Sequence, residues 1–338
     1  MIKKLSSLLS KYRFQAIICA IIAVLAIVLA IYLTTRNAED DSISGDSVLF
    51  TSGDSTMTYD EALFLTKNKQ AYYEAYYLSS GVDLDWDIDY ADNKTFEEVV
   101  LDESLEFAKE IFLFSEYAKA NGITISDSEM SSIEDEVSTF LSDSSEQIIN
   151  ATQANSDVLK RVYIRTAYHD KLCEQIYSEA DLTIDRDELS QCLVAAVELS
   201  PSYFTSPDMT AEAIMNRVNS GEVITEVAEK YGAEAIKGNI GKGDMDGNAL
   251  EELCLSLKNG ECKITEMKGT YFVVYCYLSY DEEATDLAVE NKLEELKADA
   301  VAAYYEKLLE EMPVTVNEKA WATINFDEPI FTEEDLTS

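Results

Sequence analysis

Apolar and polar positions recur with different periods along the chain, and each change of period marks a boundary. Phe14–Thr34 is apolar apart from Gln15 and the terminal Thr34. A run of about 20 such residues matches the thickness of a bilayer. Asn37–Thr58 is polar and rich in Ser, Asp and Gly, which predicts a flexible stalk. From Thr58 onward apolar residues return every three or four positions, the mark of amphipathic helices. The first runs through ALFLTKNKQAYYEAYYL, opened by Thr58-x-x-Glu61 as a capping box. The second covers Thr95–Asn121, with Leu101, Leu105, Ala108, Ile111, Phe112 and Ala118 on one side and Gly122 as its stop. Ser126-x-x-Glu129 opens a third, ending near Leu141, and a fourth spans Ser156–Glu179. Asp185-x-x-Glu188 in LTIDRDEL predicts one more helix start, a short echo of ITISDSEM at Ile123–Met130.

Between Leu193 and Leu278 the pattern changes. It predicts a β-branched strand at Leu193–Ser200, an amphipathic helix through DMTAEAIMNRVNSGEVITEVAEKYG and a Gly-rich corner at KGNIGKG. A short helix, a Lys-Asn-Gly turn and a closing strand, GTYFVVYCYL, follow. Asp281–Met312 is helical again until Pro313 stops it. Val314–Ile324 alternates like a strand or an extended clamp, and Phe331–Ser338 is an acidic tail. The expected fold class is α+β: a membrane anchor helix, then a helical domain with an α/β module inserted into it. The expected boundaries are 1–13, cytoplasmic; 14–35, anchor; 36–57, stalk; 58–190, helical domain; 191–280, inserted module; 281–325, returning helix and extension; 326–338, tail.

Charge narrows the possible partners. The chain has 65 Asp and Glu against 26 Lys and Arg. Lys3, Lys4, Lys11 and Arg13 precede the apolar run, and Glu39, Asp40 and Asp41 follow it. The positive-inside rule then leaves the N-terminus in the cytoplasm and residues 36–338 outside. The run is longer than a cleaved signal peptide's apolar core and lacks a small-x-small exit, so it reads as an uncleaved single-pass anchor. The acidic remainder repels phosphate backbones, which argues against nucleic acid as a partner.

Specialised chemistry is sparse. Of six cysteines, Cys19 lies in the apolar run, and Cys173, Cys192, Cys254, Cys262 and Cys276 show no Cys-x-x-Cys spacing. They read as buried apolar residues, with one disulfide among the last three allowed. Asp83, Asp85, Asp87 and Asp89 alternate, but an EF-hand loop needs Gly where Ile88 stands and Glu where Lys94 stands. The segment reads as a solvated loop. His169, the single histidine, sits on an amphipathic helix and reads as a packing or surface residue rather than a member of a hydrolytic triad. GNIGKGDMDG lacks the Gly-Lys-Ser/Thr of a nucleotide loop. No cofactor and no metal enter this reading. The helix tyrosines Tyr72, Tyr73, Tyr76 and Tyr77 read as packing residues or as part of an aromatic surface that holds unfolded chains.

AKANGITISDSEMSSIEDEV and IYSEADLTIDRDELSQCL, with the order anchor, stalk, helical domain, module, returning helix, resemble the PrsA/SurA group of extracytoplasmic foldases. The resemblance covers about residues 55–320. The module is similar to a parvulin peptidyl-prolyl isomerase (PpiC type). Lys237–Gly241 stands for Gly-Gly-Asp-Leu-Gly, Leu250-Glu251 for Phe-Glu, Leu257–Glu261 for Leu-x-x-Gly-Glu, and Gly269–Val273 for Gly-x-His-Ile-Ile. Parvulins place two histidines side by side under the substrate groove. Here the second position falls on Tyr271 and the first on Val197 or Glu198. Glu198 and Tyr271 are therefore the groove candidates for catalysis, and Met245, Leu250, Leu255 and Tyr271 for substrate binding. Prolyl isomerisation breaks no bond, so an apolar pocket that desolvates the amide can lower its barrier without a nucleophile. The resemblance implies a membrane-anchored folding factor for unfolded or newly secreted polypeptides, with a parvulin-like domain lacking the usual histidines. The alternatives are an active atypical isomerase and a non-catalytic protein with a single partner at the cell surface.

Overall fold

The computed structural model describes residues 43–91 and 93–331, which fall into two compact units. The apolar run at 14–35, the positions just after it and the last tail residues lie outside the described residues. Among the described residues no helix is long and apolar enough to cross a membrane.

The first unit takes in the chain up to Phe112, Asp127–Ile164 and the segment from Val314. It opens with β1 (Val48–Ser52) and β2 (Ser55–Thr58), an antiparallel hairpin. This corrects the expected stalk over residues 48–57. Leu49, Phe50 and Met57 are buried, and Gly53, at φ 56°, takes the left-handed first corner of a two-residue turn. Ser and Thr are interspersed among these apolar residues, which makes the segment read as linker when its partner is out of view. That partner is β9 (Thr315–Val316), which pairs with Phe50 and Thr51 from the far end of the chain.

Helix α1 (Tyr59–Ser79) begins at the expected capping box, the Thr58 N–H donating to the Glu61 carboxylate at 2.9 Å. A short hairpin, β3 (Asp89–Ala91) with β4 (Lys94–Thr95), leads into α2 (Phe96–Ala120). Then come α3 (Asp127–Asp143), α4 (Glu146–Thr152) and α5 (Ser156–Glu179). Phe50 packs on Phe112, and Phe64 lies edge-on to Phe140 and Tyr163. The aspartate-rich loop is not wholly solvated: Trp86 stacks on Phe96 at 5.2 Å and tilts against Phe326 at 4.7 Å. The buried Glu74 carboxylate accepts the N–H groups of Ile330 and Phe331, each at 2.7 Å, and so binds the last described residues to α1.

The second unit is Leu113–Ser126 with Arg165–Pro313. Its helical part packs Phe114 and Ala118 of α2, and Leu172 and Ile176 of α5, against Leu308, Tyr304 and Tyr305 of α9 (Glu282–Glu311). Arg165 donates to Ser115 and Glu116 within it.

The module follows without the helix expected after Asp185; Arg186–Leu189 makes a single turn instead. One turn is only a helix nucleus, and β5 (Gln191–Leu199) begins two residues later and is paired on both edges. The amphipathic stretch after it is two helices, α6 (Pro207–Asn219) and α7 (Ile224–Lys230), separated at Gly221, whose φ is 102°. The expected Gly-rich corner is mostly strand: β6 (Ala235–Gly241) pairs with β5 along its whole length. Helix α8 (Ala249–Ser256), β7 (Cys262–Met267) and β8 (Thr270–Leu278) complete the module. The antiparallel order is β6-β5-β8-β7. The Asp281 N–H donates to the Gln191 carbonyl at 2.7 Å and the Gln191 N–H to Thr285 Oγ1 at 3.0 Å, so the chain leaves the module beside the point where it came in. Cys173, Cys192, Cys254, Cys262 and Cys276 are buried free thiols, and the disulfide allowed by the sequence is not formed.

Candidate functional site

Strand alternation sorts the module's sheet into two faces. Ala195, Val197 and Leu199 point to one side and pack with Ala211, Ile214 and Val218 of α6 and Ile224, Val227 and Ala228 of α7, all buried. Each fully buried aliphatic side chain here stabilises the fold by roughly 1.5–3 kcal/mol. This side gives the sheet a rigid backing.

The other face is only half covered. Cys192, Val194, Val274 and Cys276 pack under Leu250, Cys254 and Leu257 from α8 and the residue after it. Beyond α8 the sheet stays open, and a groove of about 950 Å³ lies over it. Val194, Ala196 and Glu198 of β5, Ile236, Gly238 and Ile240 of β6, and Phe272 of β8 form the floor. Met245, Leu250 and Cys254 make one wall. Tyr203, Phe204 and Thr205, with Tyr231–Glu234, make the opposite rim.

A buried carboxylate gathers the loop that carries Met245. Glu251, buried at the start of α8, accepts N–H groups from Gly243 at 2.9 Å, Met245 at 2.8 Å and Gly247 at 3.1 Å. These backbone donors hold its pKa below the usual glutamate value. Gly243 and Gly247 have φ of 93° and 66°, conformations that glycine adopts without a Cβ penalty. Asn248 caps α8, accepting from the Leu250 and Glu251 N–H groups. Glu251 thus folds the segment back over the sheet and sets Met245 in the wall.

Glu198, Met245 and Leu250 share the groove. Tyr271 and Leu255 do not line it. Tyr271 pairs with Leu199 and packs on the α6–α7 side, because a shift of one residue along a strand changes the face. Leu255 is 40% exposed on α8, one residue past Cys254, which does line the groove. The side-by-side floor positions are Glu198 and Phe272, direct partners across β5 and β8. Val197, the alternative to Glu198, faces the backing helices.

Sequence reasoning missed Phe272, Ala196, Ile236, Cys254 and Tyr203. The signal for the first three was the alternation of the strands, readable once β5, β6 and β8 are in register. Burial pushes the Cys254 thiol up to about 11, so at neutral pH it is a protonated apolar wall group and no nucleophile. His169 lies on α5 away from the groove, stacked on Phe114 at 5.3 Å with Nδ1 3.0 Å from Asp170. The groove therefore offers apolar surface and carboxylates, with no imidazole to move a proton.

Among the α1 tyrosines, Tyr73 and Tyr77 sit edge-on to Phe96. Tyr72 and Tyr76 are 65% and 57% exposed and stack on each other at 6.4 Å. Of the two readings of these tyrosines, packing fits Tyr73 and Tyr77, and Tyr72 and Tyr76 are left on the surface.

Solved structures of PrsA and SurA-like proteins match this chain. One is a SurA-like chaperone of Campylobacter jejuni, at 12% identity over 80% of this chain and 98% of that one, with a TM-score of 0.28. PrsA of Bacillus cereus matches at 15% over 82% and 96%, TM-score 0.31. PrsA of Bacillus anthracis matches at 15% over 61% and 96%, TM-score 0.30. No family model and no curated protein matches the sequence. The functional reading therefore rests on the chain's own residues.

Proposed function

We propose that this protein is a membrane-anchored extracytoplasmic folding factor whose module holds an apolar segment of an unfolded polypeptide. The observation that carries the proposal is the groove: a wide, mostly apolar channel on a rigidly backed sheet, with Glu198 opposite Phe272 on its floor. Such a site binds by desolvation and shape. Anchoring through residues 14–35 would keep it at the outer face of the membrane, where secreted chains emerge unfolded. The strongly acidic composition keeps a complex with exposed apolar surface soluble.

The test pairs two assays on the full-length chain in lipid nanodiscs: cis/trans isomerisation of a proline tetrapeptide, and suppression of aggregation of an unfolded test protein. The proposal expects suppression that weakens in Ala196→Trp, which fills the floor, with little isomerase turnover. Strong turnover lost in Phe272→Ala would establish the atypical isomerase instead. Suppression unaffected by Ala196→Trp would remove the groove from the account.

A further inference from the structure

The groove has a charge asymmetry that its apolar floor conceals. Its charged lining residues are Glu198 and Glu234; no lysine or arginine lines it. The β5–β6 ladder ends at the pair Val197–Ala235, and these two glutamates are the next residue outward on each strand. Both side chains reach the same groove and are exposed. Neither has a hydrogen bond or ion pair among the described residues. Like charges set opposite each other at a strand pair are unfavourable. Other exposed acids of this unit have a base beside them, as Glu222 has Arg217 and Lys230. Lys237, the nearest base in β6, alternates to the other face and lies over the Tyr277 ring at 4.6 Å. The pair is thus left without a cation by the fold itself. Tyr203, 88% exposed on the same rim as Glu234, adds an aromatic face that suits the stem and charge of a cationic side chain.

We infer that the groove selects polypeptide segments in which a lysine or arginine adjoins an apolar residue, with Glu198 and Glu234 as the specificity-determining carboxylates. The inference rests on the reading of the groove as a polypeptide site. The apolar residue lies over Ala196 and Phe272, and the cation sits between the two glutamates and relieves their repulsion. Segments with an acid at that position are rejected.

The test uses the full-length chain and three labelled peptides that share a Phe-Pro-Leu core flanked by lysines, glutamines or glutamates, read by fluorescence anisotropy. The lysine peptide is expected to bind about tenfold tighter than the glutamate peptide at ~0.05 M salt, and the ratio to shrink at ~0.5 M as the charges are screened. In the Glu198→Gln/Glu234→Gln double variant the ratio falls toward one. A ratio that survives the double variant overturns the inference, because the preference then belongs to the acidic surface as a whole. Equal binding of all three peptides by the wild-type chain overturns it while leaving the groove reading intact. Failure to bind even the glutamine peptide removes both.

Discussion

Adjacent residues on β8 make a sharp test, because Tyr271 and Phe272 are consecutive yet lie on opposite faces of one sheet. Phe272 is half-buried on the groove floor and leaves on the order of 50 Å² of ring open to a ligand. A bound apolar side chain covers that area and buries a similar amount of its own, roughly 100 Å² together, which at ~25 cal/mol per Å² is about 2.5 kcal/mol. Ordering the ligand and the rim offsets part of this. Truncation in Phe272→Ala is therefore expected to cost about 1.5 kcal/mol of binding, or about tenfold in Kd. Tyr271→Ala removes a comparable ring from the α6–α7 side and is expected to leave Kd within about twofold. The assay is anisotropy of the neutral Phe-Pro-Leu peptide, with near-UV circular dichroism confirming that both variants are folded. If Tyr271→Ala weakens binding and Phe272→Ala does not, the register argument is refuted and the ligand lies elsewhere.

Other expectations follow from the packing and the charges. Phe112→Ala empties a fully buried position beside Phe50 and should cost the first unit about 3–5 kcal/mol, read from its urea midpoint. Glu74→Ala strands the N–H groups of Ile330 and Phe331, a loss of about 2–4 kcal/mol that should show as faster proteolysis near residue 330. Arg217 and then Lys230 hold the Glu222 pKa down at about 2, against 4.5 for an unperturbed glutamate. Folding thus favours the ionised form: the stabilisation is complete above about pH 4.5 and is lost as pH falls toward 2. The depressed Glu251 has the same sign. Melting temperatures of the second unit should fall across that window, and Glu222→Gln should flatten the dependence.

How much was legible in the sequence differed by kind of element. The long helices were readable because their apolar spacing and caps are local: Thr58 with Glu61 marks the start of α1, and Ser156–Glu179 is helical over its predicted length. The hairpin at Val48–Thr58 was not readable, since the strand that completes its sheet is Thr315–Val316. Asp185-x-x-Glu188 shows the opposite failure, a valid local signal overridden by the pairing of β5. Met245 and Leu250 line the groove as expected from the turn and short helix, whose motif is local. Phe272 was missed by one position, and in a strand one position is the difference between site and backing. Glu234 and Tyr203 come from loops whose approach to the groove depends on how β6 and α6 are placed, which no local pattern encodes.

The most direct test of the central claim is a methyl spectrum of the full-length chain titrated with the neutral Phe-Pro-Leu peptide. Met245 lies in the groove wall and Met215 packs behind the sheet with the α6–α7 core. A groove that holds an apolar segment predicts a saturable shift of the Met245 methyl signal while Met215 stays in place. A saturable shift at Met215 with Met245 unmoved would contradict it.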